Sequence, residues 1–413
     1  MTQSDRPSTA EMLRCFGKIG LLSFGGPAAQ IGLMHSELVE RRQWLDEDGF
    51  LRGLGFCTLL PGPEAMQLAT YAGWRLRGTA GGLLAGLLFV LPGAVVMMAL
   101  AALYLSFGRL PLVEAAFLGV KAAALAIVAG ALWKLREKAL KGRLPLTVAT
   151  LAFLALYVLD VPFWAVLGAA LLLGLAGPTA PAVAPRTSVT GTGRTVVTWL
   201  AIWWAPLLLL IAIAPGSVPA EAGLFFSWLA MVSFGGAYAV LAALAQNAVE
   251  VQGWLTPDQM IDGLGLAETT PGPLILVTVF TGWLGGAQVG LALLTALVTL
   301  WATFAPCFLW IFAGAPHLES LTAMPRLRGA LDLVSAAVAG VIANLSLWFA
   351  IHVLFREVSD AGIGPPIPAW SSLDPIAAAL AAFAFLWLLG LKRGLLETLA
   401  LSAALGLAAA LVL

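Results

Sequence analysis

Long apolar runs alternate along this chain with short polar or Gly/Pro-rich punctuation. The runs Gly81–Phe107, Val113–Trp133, Val289–Phe312 and Leu331–Leu354 are each long enough for one helix to cross a hydrocarbon core of ~30 Å. None alternates apolar and polar residues with a period of two, which argues against a barrel. Shorter apolar segments near 144–159, 161–176, 197–214, 374–391 and 394–413 predict further crossings. Two stretches behave differently. Apolar arms of about 12–16 residues, reaching only ~18–24 Å as helix, flank Ser23-Phe24-Gly25-Gly26-Pro27 and then Pro61-Gly62-Pro63. Glycine pairs and Pro-Gly-Pro do not continue a helix without strain. The pattern therefore predicts two helix–break–helix hairpins that enter and leave on one side.

The same punctuation returns. Phe16 through Gly26 reappears as Phe226 through Gly236, an offset of 210 residues. The offset also relates Glu40 to Glu250, Trp44-Leu45 to Trp254-Leu255, Asp48 to Asp258, and Pro61-Gly62-Pro63 to Pro271-Gly272-Pro273. Further on it becomes 214, pairing Pro92 with Pro306 and Val120 with Val334. The chain thus reads as two copies of one unit. The expected organisation is a first repeat over 1–143, connecting helices and a Pro/Ala/Thr-rich linker over 144–220, a second repeat over 221–356, and closing helices over 357–413.

Charge orients the copies. With both hairpins of the first copy opening to the cytoplasm, Arg41, Arg42, Arg75 and Arg77 lie inside. The spans that follow also bring Lys134, Arg136, Lys138, Lys141 and Arg143 inside, as the positive-inside rule requires. Only Arg109 and Arg356 fall outside. The second copy then starts on the other face, and its hairpin flanks near Gln252 and Trp283 lack Lys and Arg. The expected fold is an all-α polytopic membrane protein with two inverted-topology repeats. Each repeat has two broken, re-entrant hairpins plus full transmembrane helices, and the N-terminus is cytoplasmic.

Composition agrees and narrows the function. The 413 residues are 60% hydrophobic and 11% charged, with mean hydropathy +0.94, against roughly 45–50% and 25% in soluble domains. A net charge of zero gives no electrostatic case for nucleic acid. Met1–Glu11 is polar, without a cleavable signal pattern. Cys15, Cys57 and Cys307 are isolated in apolar surroundings, so neither a metal site nor a disulfide framework is expected. No P-loop, nucleophile elbow or His-Glu-x-x-His pattern occurs, so an enzyme and a cofactor are not expected.

Interrupted segments at matching positions of two inverted copies point to a transporter's binding site. A break near mid-membrane leaves helix N-termini with unmet amides and partial positive charge, and glycine lets an anion approach the backbone. The candidate binding residues are therefore Ser23, Phe24, Gly25, Gly26, Pro27, Pro61, Gly62 and Pro63. Their counterparts are Ser233, Phe234, Gly235, Gly236, Thr269, Thr270, Pro271, Gly272 and Pro273. Ser23, Ser233, Thr269 and Thr270 would add hydroxyl donors. Lys121, inside an apolar span, is a candidate by the cost of burying its charge. Glu64, Gln67 and Glu268, beside the Pro-Gly-Pro motifs, are candidates for coupling; Glu64 equally suits a helix cap. His35 and Gln30 read as helix–helix contacts, and Arg41-Arg42-Gln43-Trp44-Leu45 as an interfacial anchor.

Several stretches resemble the chromate transporter (CHR) family, long two-domain type. They are Ser23-Phe-Gly-Gly-Pro27, Arg41-Arg-Gln-Trp-Leu45, Leu59-Leu-Pro-Gly-Pro-Glu-Ala65, Gln67-Leu-Ala-Thr-Tyr71 and Phe89-Val-Leu-Pro-Gly93. In the second half they are Phe234 to Val240, Gly253-Trp-Leu255, Leu264 to Leu274 and Pro306 to Pro316. Met66 departs from the polar residue expected there. The resemblance implies a bacterial inner-membrane secondary transporter, an antiporter, that expels chromate and confers chromate resistance. The residues alone reach only "small anion", so transport or exchange of sulfate or another oxyanion stays open. A non-transporting membrane scaffold is a third reading, and a homodimer is an open assembly state.

Overall fold

A computed structural model describes residues 7–177, 191–234, 237–318, 324–359 and 367–412. The first helix, α1 (Thr9–Leu22), starts at a reciprocal cap: Ser8 Oγ accepts from the Glu11 amide at 3.2 Å, and Glu11 Oε2 accepts from the Ser8 amide at 2.7 Å. After a break come α2 (Gly26–His35), a wide turn over Ser36–Arg41, and α3 (Glu47–Cys57). A second break precedes α4 (Glu64–Phe107) and α5 (Pro111–Ala139). Helix α4 is two helices joined at Arg77 and Gly78, where φ is −141° and 63°. Its first arm folds back on the long span, with Gly73 against the Gly81 carbonyl and Gly86 against Thr70. Small residues permit that approach.

Three helices follow, α6 (Arg143–Leu159), α7 (Phe163–Leu175) and α8 (Thr192–Ile213). The second copy then repeats the order. It has α9 (Val218–Val232), α10 (Ala237–Leu244), a wide turn over Ala245–Val251, α11 (Pro257–Thr269), α12 (Val277–Ala287), α13 (Ala292–Gly314) and α14 (Pro325–Leu354). Even the turn closures match. The amides of Trp44 and Leu45 donate to Leu38 O at 2.8 and 3.2 Å, and those of Trp254 and Leu255 to Ala248 O at the same distances. Where the first copy kinks at Arg77-Gly78, the second has the turn Gln288–Leu291, which accounts for the growth of the offset from 210 to 214. The chain closes with α15 (Pro375–Phe385), a wider turn to Gly390, and α16 (Leu395–Val412). A two-stranded antiparallel pair, β1 (Val358–Ser359) with β2 (Ile367–Pro368), precedes them.

Six of the described helices are long and apolar enough to cross a membrane, and the protein is a multi-pass, all-α membrane protein. The span expected over 161–176 is shorter in the structure. Asp160, left-handed at φ 49°, ends α6, and Pro162 delays α7, whose 13 residues reach roughly 20 Å. Helix α8 instead starts five residues before the expected 197. The linker residues 178–190 lie outside the described residues.

The described chain packs as two compact units, each taking segments from both sequence copies. The first holds Met1–Ala99, Pro178–Ala237 and Thr270–Arg328. At its core α13 packs on α8, α9 and α12. Gly282 and Gly286 of α12 lie against Thr299 and Thr295 of α13, where a Cβ would collide. Trp203, buried, donates from Nε1 to Ser227 Oγ at 3.2 Å. The second unit holds Leu100–Gly177, Tyr238–Thr269 and Gly329–Leu413. Its central helix is α5, packed on α11, α15 and α16. Gly119 meets the Ser402 backbone and Gly406 the Ala115 carbonyl, so α5 and α16 cross at backbone contact. Ala123, Ala126, Ile127, Ala384 and Leu399 fill the space between. Outward faces stay apolar, as in Leu172, Leu209 and Ile213, which suits lipid as the solvent.

Candidate functional site

All four predicted breaks fall where helices stop. At the first, Ser23 Oγ donates to Ile19 O at 2.6 Å and so closes the end of α1. Gly25 and Gly26 follow with φ of 87° and 80°, a left-handed pair that turns the chain. Pro27 sits in the first turn of α2, and no side chain caps that turn. Gly25 is exposed, Phe24, Gly26 and Pro27 are partly so, and a Cβ on Gly26 would meet nothing within 4 Å. The leading end of α2 is thus open ground facing uncapped amides.

The second break, Pro61-Gly62-Pro63, is tightly enclosed. Gly62 has φ 115°, and a Cβ there would sit 2.8 Å from Gln67 Nε2 and 3.1 Å from Cys307 Sγ. Gln67, fully buried, reaches back to donate to Pro61 O at 2.6 Å, while its Oε1 is buried without a hydrogen-bond partner. Glu64 opens α4 from a partly exposed position. At the third break Ser233 Oγ donates to Ala230 O at 3.1 Å, beside the partly exposed Phe234. Gly235 and Gly236 lie outside the described residues. At the fourth, Thr269 Oγ1 donates to Leu266 O at 2.8 Å. Thr270, Pro271, Gly272 and Pro273 are buried, with Gly272 at φ 90° and Gly93 of α4 pressed against the Pro271 carbonyl.

The breaks pair crosswise. Gly272 N donates to Ser23 O at 2.8 Å, and Gly62 N donates to Ser233 O at 3.0 Å. Each bond is the other shifted by the repeat offset. A reciprocal pair of this kind is what a two-fold relation between the copies produces. Both bonds lie within the first compact unit. Gln30, buried on α2, adds a brace by donating from Nε2 to Gly272 O at 2.7 Å and to Ser23 O at 3.3 Å.

This geometry corrects part of the sequence expectation. The hydroxyls of Ser23, Ser233 and Thr269 donate to the carbonyls that end their own helices, because those carbonyls have no intrahelical partner. The amides of Gly62 and Gly272 join the breaks to one another. None of these is a spare donor for an anion.

Residues 10–175 and 220–409 match the family model described as Chromate transporter. The chain belongs to the chromate transporter family. It is 32% identical to a chromate transport protein of Pseudomonas aeruginosa, over 94% of each chain. It is 32% identical to a probable chromate transport protein of Synechococcus elongatus, over 85% of each, and 31% identical to a chromate transport protein of Cupriavidus metallidurans, over 80% of each. No solved structure matches. The two family matches each take in one copy with its paired breaks, and they omit the linker and all of α8.

The remaining candidates of this chromate transporter family member are Glu268 and Lys121. Glu268 is buried in the last turn of α11. Lys121 belongs to the second unit and is not a bare cation: its Nζ is 2.7 Å from Asp258 Oδ1 and 3.6 Å from Asp262 Oδ1. Carboxylates already meet its charge, which counts against Lys121 as a direct anion ligand. Sequence reasoning missed Asp262 and the bracing role of Gln30. The available signals were the spacing of Asp262 four residues after Asp258, one helix face, and a lone amide three residues after Pro27.

Proposed function

We propose that the protein exports chromate across the bacterial inner membrane, holding the dianion where the helix breaks of the two copies converge. The crosswise pairing of Ser23 with Gly272 and of Ser233 with Gly62 carries this reading. It gathers breaks from both copies, as expected of a transporter's central site. The uncapped start of α2, with Gly25 exposed, supplies amides and a partial positive charge suited to a small oxyanion. Gln30 and Gln67 act as positioning residues that hold the breaks rather than as ligands. The names of the aligned relatives supply the identity of the anion.

In this reading the copies are inverted and the N-terminus is cytoplasmic, the arrangement that brings the Lys134–Arg143 cluster inside. Export is then downhill electrically. Each charge crossing ~100 mV is worth about 2.3 kcal/mol, so an interior-negative potential favours outward movement of a dianion by roughly 4–5 kcal/mol.

A backbone-lined site reads the shape and charge of a tetrahedral dianion, which sulfate shares. Uptake of chromate into inside-out vesicles, with and without excess sulfate, tests the proposal. Chromate accumulation that sulfate reduces in part, and less than an equal excess of unlabelled chromate does, is the expected result. Equal competition by sulfate would assign the protein to general oxyanion transport. Correctly folded protein that moves no chromate sinks the proposal and leaves the scaffold reading.

A further inference from the structure

The paired breaks leave one group of ionisable side chains without a role. Lys121 of α5, Asp258 and Asp262 of α11, and Tyr104 near the end of α4 meet within the second unit. Tyr104 Oη donates to Asp262 Oδ2 at 2.7 Å. Lys121 Nζ sits 2.7 Å from Asp258 Oδ1 but 3.6 Å from Asp262 Oδ1. The two carboxylates are in unlike surroundings: the Asp258 side chain is 71% exposed, that of Asp262 only 6%. Asp262 Oδ1 is buried without a hydrogen-bond partner. Gly265, one turn further along α11, packs against Val120, so the two helices approach closely at this level.

The charges do not balance. One ammonium faces two carboxylates, leaving one negative charge in excess, and the lysine lies nearer the exposed carboxylate. An uncompensated buried charge is costly, and so is a buried acceptor left unmet. A proton on Asp262 Oδ1 removes the excess charge. Oδ2 already accepts from Tyr104, so Oδ1 is the vacant oxygen. Of the other ionisable groups around α11, Glu268 is buried six residues further along the same helix, towards its end. Glu114 of α5 acts on the Tyr104 side, while Glu250, in the turn before α11, and Glu397, on α16, are both exposed.

We infer that Asp262 is a proton-binding site, and that loading and unloading its Oδ1 couples proton movement to the transport proposed above. The proton comes from solvent and returns to it; only the O–H bond forms and breaks. Lys121 and Tyr104 are positioning residues, the first holding charge beside the carboxyl and the second fixing which oxygen is free. The coupling rests on the transport reading. Proton binding itself does not.

Infrared difference titration of the full chain in proteoliposomes tests the binding, and chromate uptake under an imposed pH gradient at clamped potential tests the coupling. A protonated-carboxyl band that grows on acidification in the wild type and is missing in Asp262→Asn is expected. So is a several-fold response of wild-type uptake to the gradient that Asp262→Asn loses. Tyr104→Phe keeps the carboxyl and should alter the pH at which the band disappears, which gives a readout if Asp262→Asn does not fold. An unchanged band in Asp262→Asn, or an unchanged gradient response, overturns the proposal. Absence of chromate flux from the wild type would end the transport reading and the coupling with it, while the infrared band still decides whether Asp262 binds a proton.

Discussion

Four residues show how differently local chemistry is used here. Gln30 holds two breaks together, and replacing it by Ala leaves the Gly272 carbonyl buried without that donor. The expected cost is about 1–3 kcal/mol, seen as a lower thermal midpoint in detergent. Gly26 and Gly272 both have φ near the left-handed region, at 80° and 90°. A Cβ on Gly26 enters open space, whereas on Gly272 it lies 3.2 Å from Leu276 Cδ1 and 3.3 Å from Phe89 O. Gly272→Ala should therefore lower the midpoint more than Gly26→Ala, and the reverse order would mean the breaks are not enclosed as described. Glu37, in the turn after α2 and outside the spans, accepts from Lys18 at 2.7 Å and Arg41 at 2.8 Å. The Lys18 hydrogen bond outweighs burial and, with the Lys18 and Arg41 charges, holds the Glu37 carboxyl below the ordinary glutamate value. A lowered folded value means stability that is present above the ordinary value and lost as pH falls through the lowered one. Thermal midpoints should drop on acidification in that window, and Glu37→Gln should flatten the drop. The sequence offers the four-residue spacing of Glu37 and Arg41, but not Lys18, which belongs to a segment brought to Glu37 only by the turn at the first break.

Helices and their interruptions were the most legible level. The SFGG and Pro-Gly-Pro breaks end helices where glycine and proline chemistry requires, and the arms between them are short for the same reason. The kink at Arg77-Gly78 falls between Arg77, the expected end of the second hairpin, and the apolar run from Gly81. Gly78, at φ 63° and ψ −155°, occupies a region that is essentially reserved for glycine. Its Cβ position is empty space, so Gly78→Ala isolates the backbone cost. About 1–3 kcal/mol is expected, measured again as a thermal midpoint, and a neutral effect would mean the arm and the span can be joined in another way. The lengths of α7 and α8 escaped sequence reasoning because apolar composition continues through Pro162 and because a helix readily includes Thr192 and Arg194.

At the scale of the whole molecule, the sequence offset identified equivalent positions but not which of them touch. The repeat made Ser23 and Ser233 counterparts; only the structure joins each to the glycine of the other copy's Pro-Gly-Pro. The same limit hid Asp262, whose partners lie on two other helices, and it explains why Lys121 read as a lone intramembrane charge. Inverted orientation makes a direct prediction: a reporter fused in the 253–257 loop should give a periplasmic signal, and a cytoplasmic one would rule the arrangement out. The crosswise bonds also have a consequence for biogenesis. Gly62 must wait for Ser233, 171 residues later, and Ser23 for Gly272, 249 residues later. At about 5–20 residues per second, the ribosome takes roughly 10–50 s to deliver those partners. Throughout that interval the nascent first half sits in the membrane with both of its breaks unmatched, so the insertion machinery has to shelter them until translation of the second half is well advanced.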